Sequence, residues 1–311
     1  MNLGMTTAFA IAAIGGLLSA LLFLSAMGGP ALILLQYITQ LPLFVVGLAL
    51  GLGPAVVAGV IASAVTFLVD SLPGVIFAVG YALPVVLAIR QALLTRVLDG
   101  GQSEWYPPGR LLANATGYAA AILVMAALWM SGADDGMAGV VIGAIQQVLQ
   151  VLSGDQIGPE AEGMIAQYAF LFPGLIGMSW IFMMVINGAL AQGLVSGAGR
   201  NLRPTPSFVE IELPDWPAYA LGGSALIWLI GGGNIGFAAG ALFVIVLAPF
   251  FLQGIAVVHV LARRRATRSR VVITLTIFYI LLIFLQWPMI LVAVLGVVEQ
   301  WAHVRRRLAA S

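Results

Sequence analysis

Few residues in this sequence are equipped for chemistry. It holds two histidines, His259 and His303, twelve Asp and Glu, and thirteen basic residues that are all Arg; Cys and Lys are absent. Without Cys there is no disulfide, thiolate nucleophile or Cys-ligated metal. Without Lys there is no P-loop lysine, Schiff base or Ser–Lys dyad. The His-Glu-x-x-His spacing that sets two imidazoles on one helix face for zinc does not occur. Leu194-Val195-Ser196-Gly197 shares only its Ser-Gly half with the Gly-x-Ser-Gly of membrane serine proteases, and nothing obvious supplies a base. No pair of carboxylates falls inside an apolar run, so general acid–base work has no partners there. These absences argue against an enzyme, a resident metal and a cofactor.

What remains are neutral polar side chains set in apolar sequence: Gln36, Gln40, Thr66, Asn114, Asn187, Gln192, Gln253 and Gln286. Hydrocarbon cannot satisfy such groups, so they face a bundle interior or a cavity. Amides neither carry a proton nor balance a cation, which argues against an ion relay. They do suit the polar edge of a small neutral ligand, and Gln36, Gln40, Asn187 and Gln192 are the ligand-binding candidates. The plainer use is hydrogen bonding between helices, at about 0.6 kcal/mol a bond. The two histidines read as packing residues for the same reason.

The elements that position these groups follow from composition. Of 311 residues, 61% are hydrophobic and 8% charged, where a soluble domain carries about a quarter charged residues. No charged side chain precedes Asp70, and further uncharged runs cover 71–89, 111–133, 163–199, 216–262 and 271–298. A bilayer core takes about 20 apolar residues per helix. Stretches such as Leu41–Leu50 do not alternate as barrel strands do. The expected fold is therefore all-α, a polytopic transmembrane bundle in a lipid bilayer, treated as a single domain over 1–311. Ten spans are expected, near 6–27, 31–50, 54–70, 72–90, 111–131, 167–198, 217–231, 235–262, 271–286 and 288–304. The first lacks the basic flank of a signal peptide and exceeds its apolar length.

Turn residues mark the breaks: Gly28-Gly29-Pro30, Gly51-Leu52-Gly53-Pro54, Ser71-Leu72-Pro73-Gly74 and Gly231-Gly232-Gly233-Asn234. Within 163–199, Phe172-Pro173-Gly174 is expected to kink or break the helix. The positive-inside rule sets the topology. Ten crossings, with a turn at Trp287-Pro288, put all 13 Arg and both termini on the cytoplasmic side. Asp70, Asp134, Asp135, Asp155, Glu160 and Glu162 then lie outside. Arg263, Arg264, Arg265, Arg268 and Arg270 form a cytoplasmic basic cluster beside anionic lipid, worth about 1 kcal/mol per residue. Nucleic acid is not an expected partner, since no soluble module accompanies the cluster.

Two further patterns concern packing. Met137, Val140, Val141, Ala144, Ile145, Val148, Leu149 and Leu152 share one helical face in the outer loop. Asp134 or Asp135 is expected to cap that helix and Gly154 to end it. It reads as a static surface helix packed on the bundle, as a lid over an outward cavity, or as an eleventh span that would disturb the topology. Ala8, Ala12, Gly16 and Ala20 recur every fourth residue along the first span. Such a face permits close helix approach, within the protein or to another membrane subunit.

Three segments carry a resemblance. They are Leu41-Pro42-Leu43 running into Gly47 and Gly51-Leu52-Gly53-Pro54; Leu213-Pro214-Asp215-Trp216; and Leu295-Gly296-Val297-Val298-Glu299-Gln300-Trp301 with Arg305-Arg306-Arg307. With these the chain resembles the YybS-like family of bacterial membrane proteins, from which no activity carries over. That family is similar to the substrate-binding membrane components of energy-coupling-factor importers. The resemblance implies that Ala8, Ala12 and Gly16 dock a coupling subunit, and it matches Gly51-Leu52-Gly53-Pro54, Gly59 and Asp70. Those components have about six spans. An importer-like core over 1–200 with added helix pairs over 217–304 accommodates the excess.

The functional expectation is a multi-pass protein of the bacterial cytoplasmic (inner) membrane, a small-molecule transport component lacking its own ATPase. The alternative is a scaffold or assembly factor that docks other membrane proteins.

Overall fold

Glycine and proline cut the apolar sequence into helices where local backbone chemistry requires it. The computed structural model describes all residues except 1–3, 30–31, 134, 155–157, 265–266, 286 and 311, and the side chains of 308–310. The helices are α1 (Met5–Leu24), α2 (Ile33–Gln36), α3 (Leu41–Leu50), α4 (Leu52–Val69), α5 (Ser71–Phe77), α6 (Leu83–Ala92) and α7 (Pro108–Met130). They continue as α8 (Gly136–Ser153), α9 (Pro159–Tyr168), α10 (Leu171–Gly197), α11 (Trp216–Ile230), α12 (Gly233–Arg263), α13 (Arg268–Leu285), α14 (Pro288–Ala302) and α15 (Val304–Ala310). Gly51 turns α3 into α4 at φ +96°, a conformation L side chains avoid. Asp70 separates α4 from α5 and its carboxylate accepts the Leu72 N–H at 2.9 Å.

Among the described residues nine helices are long and apolar enough to cross a membrane, and Trp216–Ile230 and Pro288–Ala302 are shorter apolar helices. The all-α polytopic bundle stands. Helix occupies most of each of the ten expected spans, with turns at 37–40 in the second and 169–170 in the sixth, and 271–304 divides into α13 and α14. The loop after α6 adds a small hairpin not expected from the sequence, β1 (Thr95–Val97) antiparallel to β2 (Ser103–Trp105). Arg96 and Glu104 pair across it.

The chain packs as two compact units. One comprises Met1–Leu111 and Phe182–Ser207, the other Leu112–Ile181 and Phe208–Ser311. Residues 112–181, which the sequence reading placed in a core over 1–200, thus cluster with the C-terminal helices. In the first unit α1 packs on α4 and α3, and α3 on α6. Ala12 is fully buried, and a Cβ on Gly16 would overlap the Ala58 carbonyl. Ala12 and Gly16 of the stripe expected to receive a coupling subunit are therefore taken up inside the unit, while Ala8 is half-buried. The small residues let α1 and α4 approach to backbone contact.

In the second unit α12 is the core: 72% of its most apolar stretch is buried, against 6% in α13. It crosses α14 closely, since a Cβ on Gly254 would overlap the Val292 carbonyl and one on Gly296 the Phe250 carbonyl. This Gly254–Gly296 crossing went unread because its two glycines lie on different helices. His259 fills the packing role expected of it, with Nδ1 2.9 Å from the Ile255 carbonyl.

Two expectations are corrected. The run 163–199 is broken as expected, at residues 169–170 between α9 and α10 rather than at Phe172-Pro173-Gly174 itself. Helix α10 starts at Leu171, so Pro173 sits in its first turn, where the missing N–H has no helical partner to lose. The helix expected in the loop after the fifth span runs 136–153 and ends at Gly154 with φ +73°, as expected, but its apolar face is not packed along its length. Met137 is buried, whereas Val140, Val148, Leu149 and Leu152 are exposed. Asp135 makes no side-chain cap, and Asp134 lies outside the described residues. Asn234 serves instead, its Oδ1 accepting the Ala138 N–H at 2.9 Å.

Candidate functional site

The second span carries a local fault whose origin is Pro42. In an unbroken helix the residue-42 N–H would bond the Ile38 carbonyl; proline has none. The Leu41 N–H takes that carbonyl at 3.1 Å, and the N–H groups of Tyr37, Ile38 and Thr39 likewise reach back three residues. The chain between α2 and α3 is thus tightened into a turn that releases the Tyr37 carbonyl, the usual partner of Leu41.

Side chains from two other helices of the unit seize the freed backbone. Asn187 on α10 donates Nδ2 to the Tyr37 carbonyl at 2.7 Å and to the Met183 carbonyl at 2.8 Å. Both amide hydrogens are committed, which settles the orientation of the group: reversed, its oxygen would face two carbonyls. Ser19 on α1 donates to the Thr39 carbonyl at 2.5 Å.

Four polar atoms on these residues have no partner: Thr39 Oγ1, Gln40 Oε1, Gln40 Nε2 and Asn187 Oδ1. Thr39, Gln40 and Asn187 are each 0% exposed. A buried polar atom left unsatisfied costs about 1–3 kcal/mol, and such groups are uncommon enough in native proteins to call for an explanation. No charged residue occurs between Met1 and Val69 or between Gly163 and Gly199, so the segments that carry these residues are themselves uncharged.

Of the four ligand-binding candidates, the structure brings Gln40 and Asn187 to this turn. Gln36 precedes the turn and is half-buried. Gln192 serves the loop after α10 instead: its Nε2 donates to the Arg203 carbonyl and to Thr205 Oγ1, each at 3.2 Å. Arg203 itself is buried, donating to the Ala92 carbonyl at the end of α6 and lying over the Trp105 ring. Burial pulls its guanidinium below the ordinary value. Sequence reasoning missed Thr39 and Ser19, because hydroxyls usually satisfy themselves on their own helix, as Thr66 does against Ala62. Pro42 two residues after Gln40 was the available signal.

The second unit holds a contrasting polar cluster whose buried side chains are hydrogen-bonded. Arg305 pairs with Glu299 at 2.8 Å and donates to the carbonyls of Val209 and Ile211 at 2.6 and 2.8 Å. Gln253 accepts the Leu213 N–H and donates to the Gly296 carbonyl, while Gln300 reaches the Leu213 and Pro214 carbonyls. This is a structural knot tying the loop before α11 to the C-terminus. It joins two of the segments that carried the resemblance, Leu213-Pro214-Asp215-Trp216 and Glu299-Gln300-Trp301. Of the basic cluster, Arg263 ends α12, and Arg268 and Arg270 open α13, all three exposed; Arg265 lies outside the described residues.

No curated protein and no solved structure matches the chain. Residues 17–299 match the family described as "Predicted membrane protein (DUF2232)". That match runs from α1, which carries Ser19, through the amide turn to Glu299 of the C-terminal knot, and the chain belongs to this family of membrane proteins.

Proposed function

We propose that this protein is a multi-pass component of the bacterial cytoplasmic membrane, with both termini inside, that binds a small neutral solute at the Thr39–Gln40–Asn187 turn. It hands that solute across the bilayer without an ATPase of its own and carries out no chemical step on it. The observation that supports this is the fully buried Gln40 amide, with neither end hydrogen-bonded, beside an interrupted span. Irregular backbone inside a membrane protein lines solute sites or is covered by protein, and transporters place their sites at such interruptions. With no Lys for a P-loop and no carboxylate in the surrounding helices, energy for uphill movement would come from another subunit. That subunit docks elsewhere than on Ala12 and Gly16.

The test is native mass spectrometry of the full chain purified from membranes in mild detergent. A small-molecule adduct is expected on the wild type and is expected to be depleted in Gln40→Met. A bare wild-type protein would overturn the reading and leave the scaffold alternative.

A further inference from the structure

Helix α8 is rooted at one end and projects at the other. Its first turn is held by α12: Asn234 Oδ1 accepts the Ala138 N–H, and Met137 is buried. From Gln147 to Gly154 every residue is exposed. Successive side chains of a helix lie about 100° apart. Val151, Val148, Leu152 and Leu149 therefore share one arc of about 160°, and Ser153, Gln150 and Gln147 occupy the other. Val151 and Leu152 are 79% and 77% exposed. No residue of Gly136–Ser153 is charged. We infer that this projecting end lies in the plane of the membrane interface, its apolar arc in the acyl region and its amides among the headgroups, so that its partner is a lipid surface.

The surroundings of the root supply that surface. Ile230 closes α11 and Ile235 follows Asn234 in α12, and both are strongly exposed on apolar helices of a membrane protein. Side chains so placed face hydrocarbon, and the bilayer therefore reaches the turn that holds α8. Trp129, exposed in the last turn of α7, is of the type that sits at headgroup level. The path of the chain excludes a crossing. Phe170 lies against Trp228 with ring centroids 4.9 Å apart, and a Cβ on Gly174 would meet Val244. Helix α10 thus begins beside the same end of α12 that holds α8. A crossing by α8 would require a second one before Leu171, and among the described residues the only helix between is α9. Its ten residues reach about 15 Å, half of a ~30 Å core, and its first turn carries Glu160 and Glu162. Irregular backbone exposed to lipid cannot make up the rest. A lid on this chain would bury one arc, whereas from Gln147 onward neither arc is buried. With no Arg on its polar arc, α8 is held by its apolar arc and not by anionic headgroups.

This inference is independent of the solute reading, and its test follows from the absence of Cys. A nitroxide on one introduced cysteine reports one position. The full-length protein in phosphatidylcholine vesicles is labelled in turn at each residue from Gln147→Cys to Ser153→Cys. Collision is then measured with oxygen, which concentrates in hydrocarbon, and with a neutral nickel chelate, which stays in water. Oxygen collision is expected to peak at Val148, Leu149, Val151 and Leu152 and nickel collision at Gln147, Gln150 and Ser153, the pattern unchanged when phosphatidylglycerol is added. Nickel collision at every position would put the helix end in water and overturn the inference. Low collision with both probes along the apolar arc would overturn it in favour of protein cover, by a second copy or another subunit. Oxygen collision at every position would overturn it in favour of a helix sunk in hydrocarbon. The phase is read over the whole stretch, so a position whose variant fails to fold is dispensable.

Discussion

Replacing Arg305 by alanine should free the segment before α11 from the second unit. The Arg305 side chain is 10% exposed and that of Glu299 4%, so both charges are largely withdrawn from water. Arg305→Ala leaves the Glu299 carboxylate with no counter-charge, only the long backbone N–H bond of residue 305, and also deprives the Val209 and Ile211 carbonyls of their donor. Removing one member of a buried pair costs about 3–5 kcal/mol, mostly the penalty of the charge left behind. Hydrogen exchange reads this locally. The Ile211 N–H bonds the Phe208 carbonyl and the Leu213 N–H bonds Gln253, so both amides report opening of the segment. If opening is eased by even 3 kcal/mol, their exchange accelerates by about a hundredfold or more. Adding Glu299→Ala to Arg305→Ala should restore part of the protection, because the stranded carboxylate is then gone. Unchanged exchange at Ile211 and Leu213 in Arg305→Ala would show that Gln253 and Gln300 alone hold the segment, and the reasoning from the ion pair would fall.

Gly296→Leu should disrupt the crossing of α12 and α14 by well over the ~1–3 kcal/mol of ordinary overpacking, since the added side chain meets the Phe250 backbone; folded yield in detergent measures it. Ala12→Leu and Gly16→Ala should each lower the unfolding midpoint of the isolated protein, and an unchanged midpoint would return that face to a partner. A cysteine placed by Ser153→Cys should react with an impermeant thiol reagent from outside intact cells and one from Thr267→Cys should not. Protection at 153 would mean that Gly136–Ser153 crosses the bilayer.

Much of the architecture could be read along the chain because a bilayer makes it a local matter. Each span must be apolar over its own length and satisfy its own backbone, so uncharged runs and Gly or Pro breaks locate helices residue by residue. Gly51, Gly154 and the turn before Pro288 act through their own backbone and appear where their positions indicate. The small-residue stripe of α1 was equally visible, but its partner was not. Whether Gly16 meets Ala58 or another protein depends on which helix lies beside it, and one-dimensional spacing is the same in both cases.

The candidate site divides in the same way. Gln40 and Asn187 stand out in the sequence because an amide among apolar residues always needs an explanation. Which amide goes unsatisfied is a property of the assembled helices. Gln253 and Gln192 find partners at 213, 296, 203 and 205, while Gln40 finds none. Sequence determined that this chain is a helical membrane protein with long uncharged runs and few groups for chemistry. Tertiary structure decided that Pro42 would free the Tyr37 carbonyl for Asn187, that Arg305 would bind a loop nearly a hundred residues away, and that Gln40 would be left facing no partner. Such outcomes turn on hydrogen-bond satisfaction across helices distant in sequence, and the residue types alone are compatible with either result.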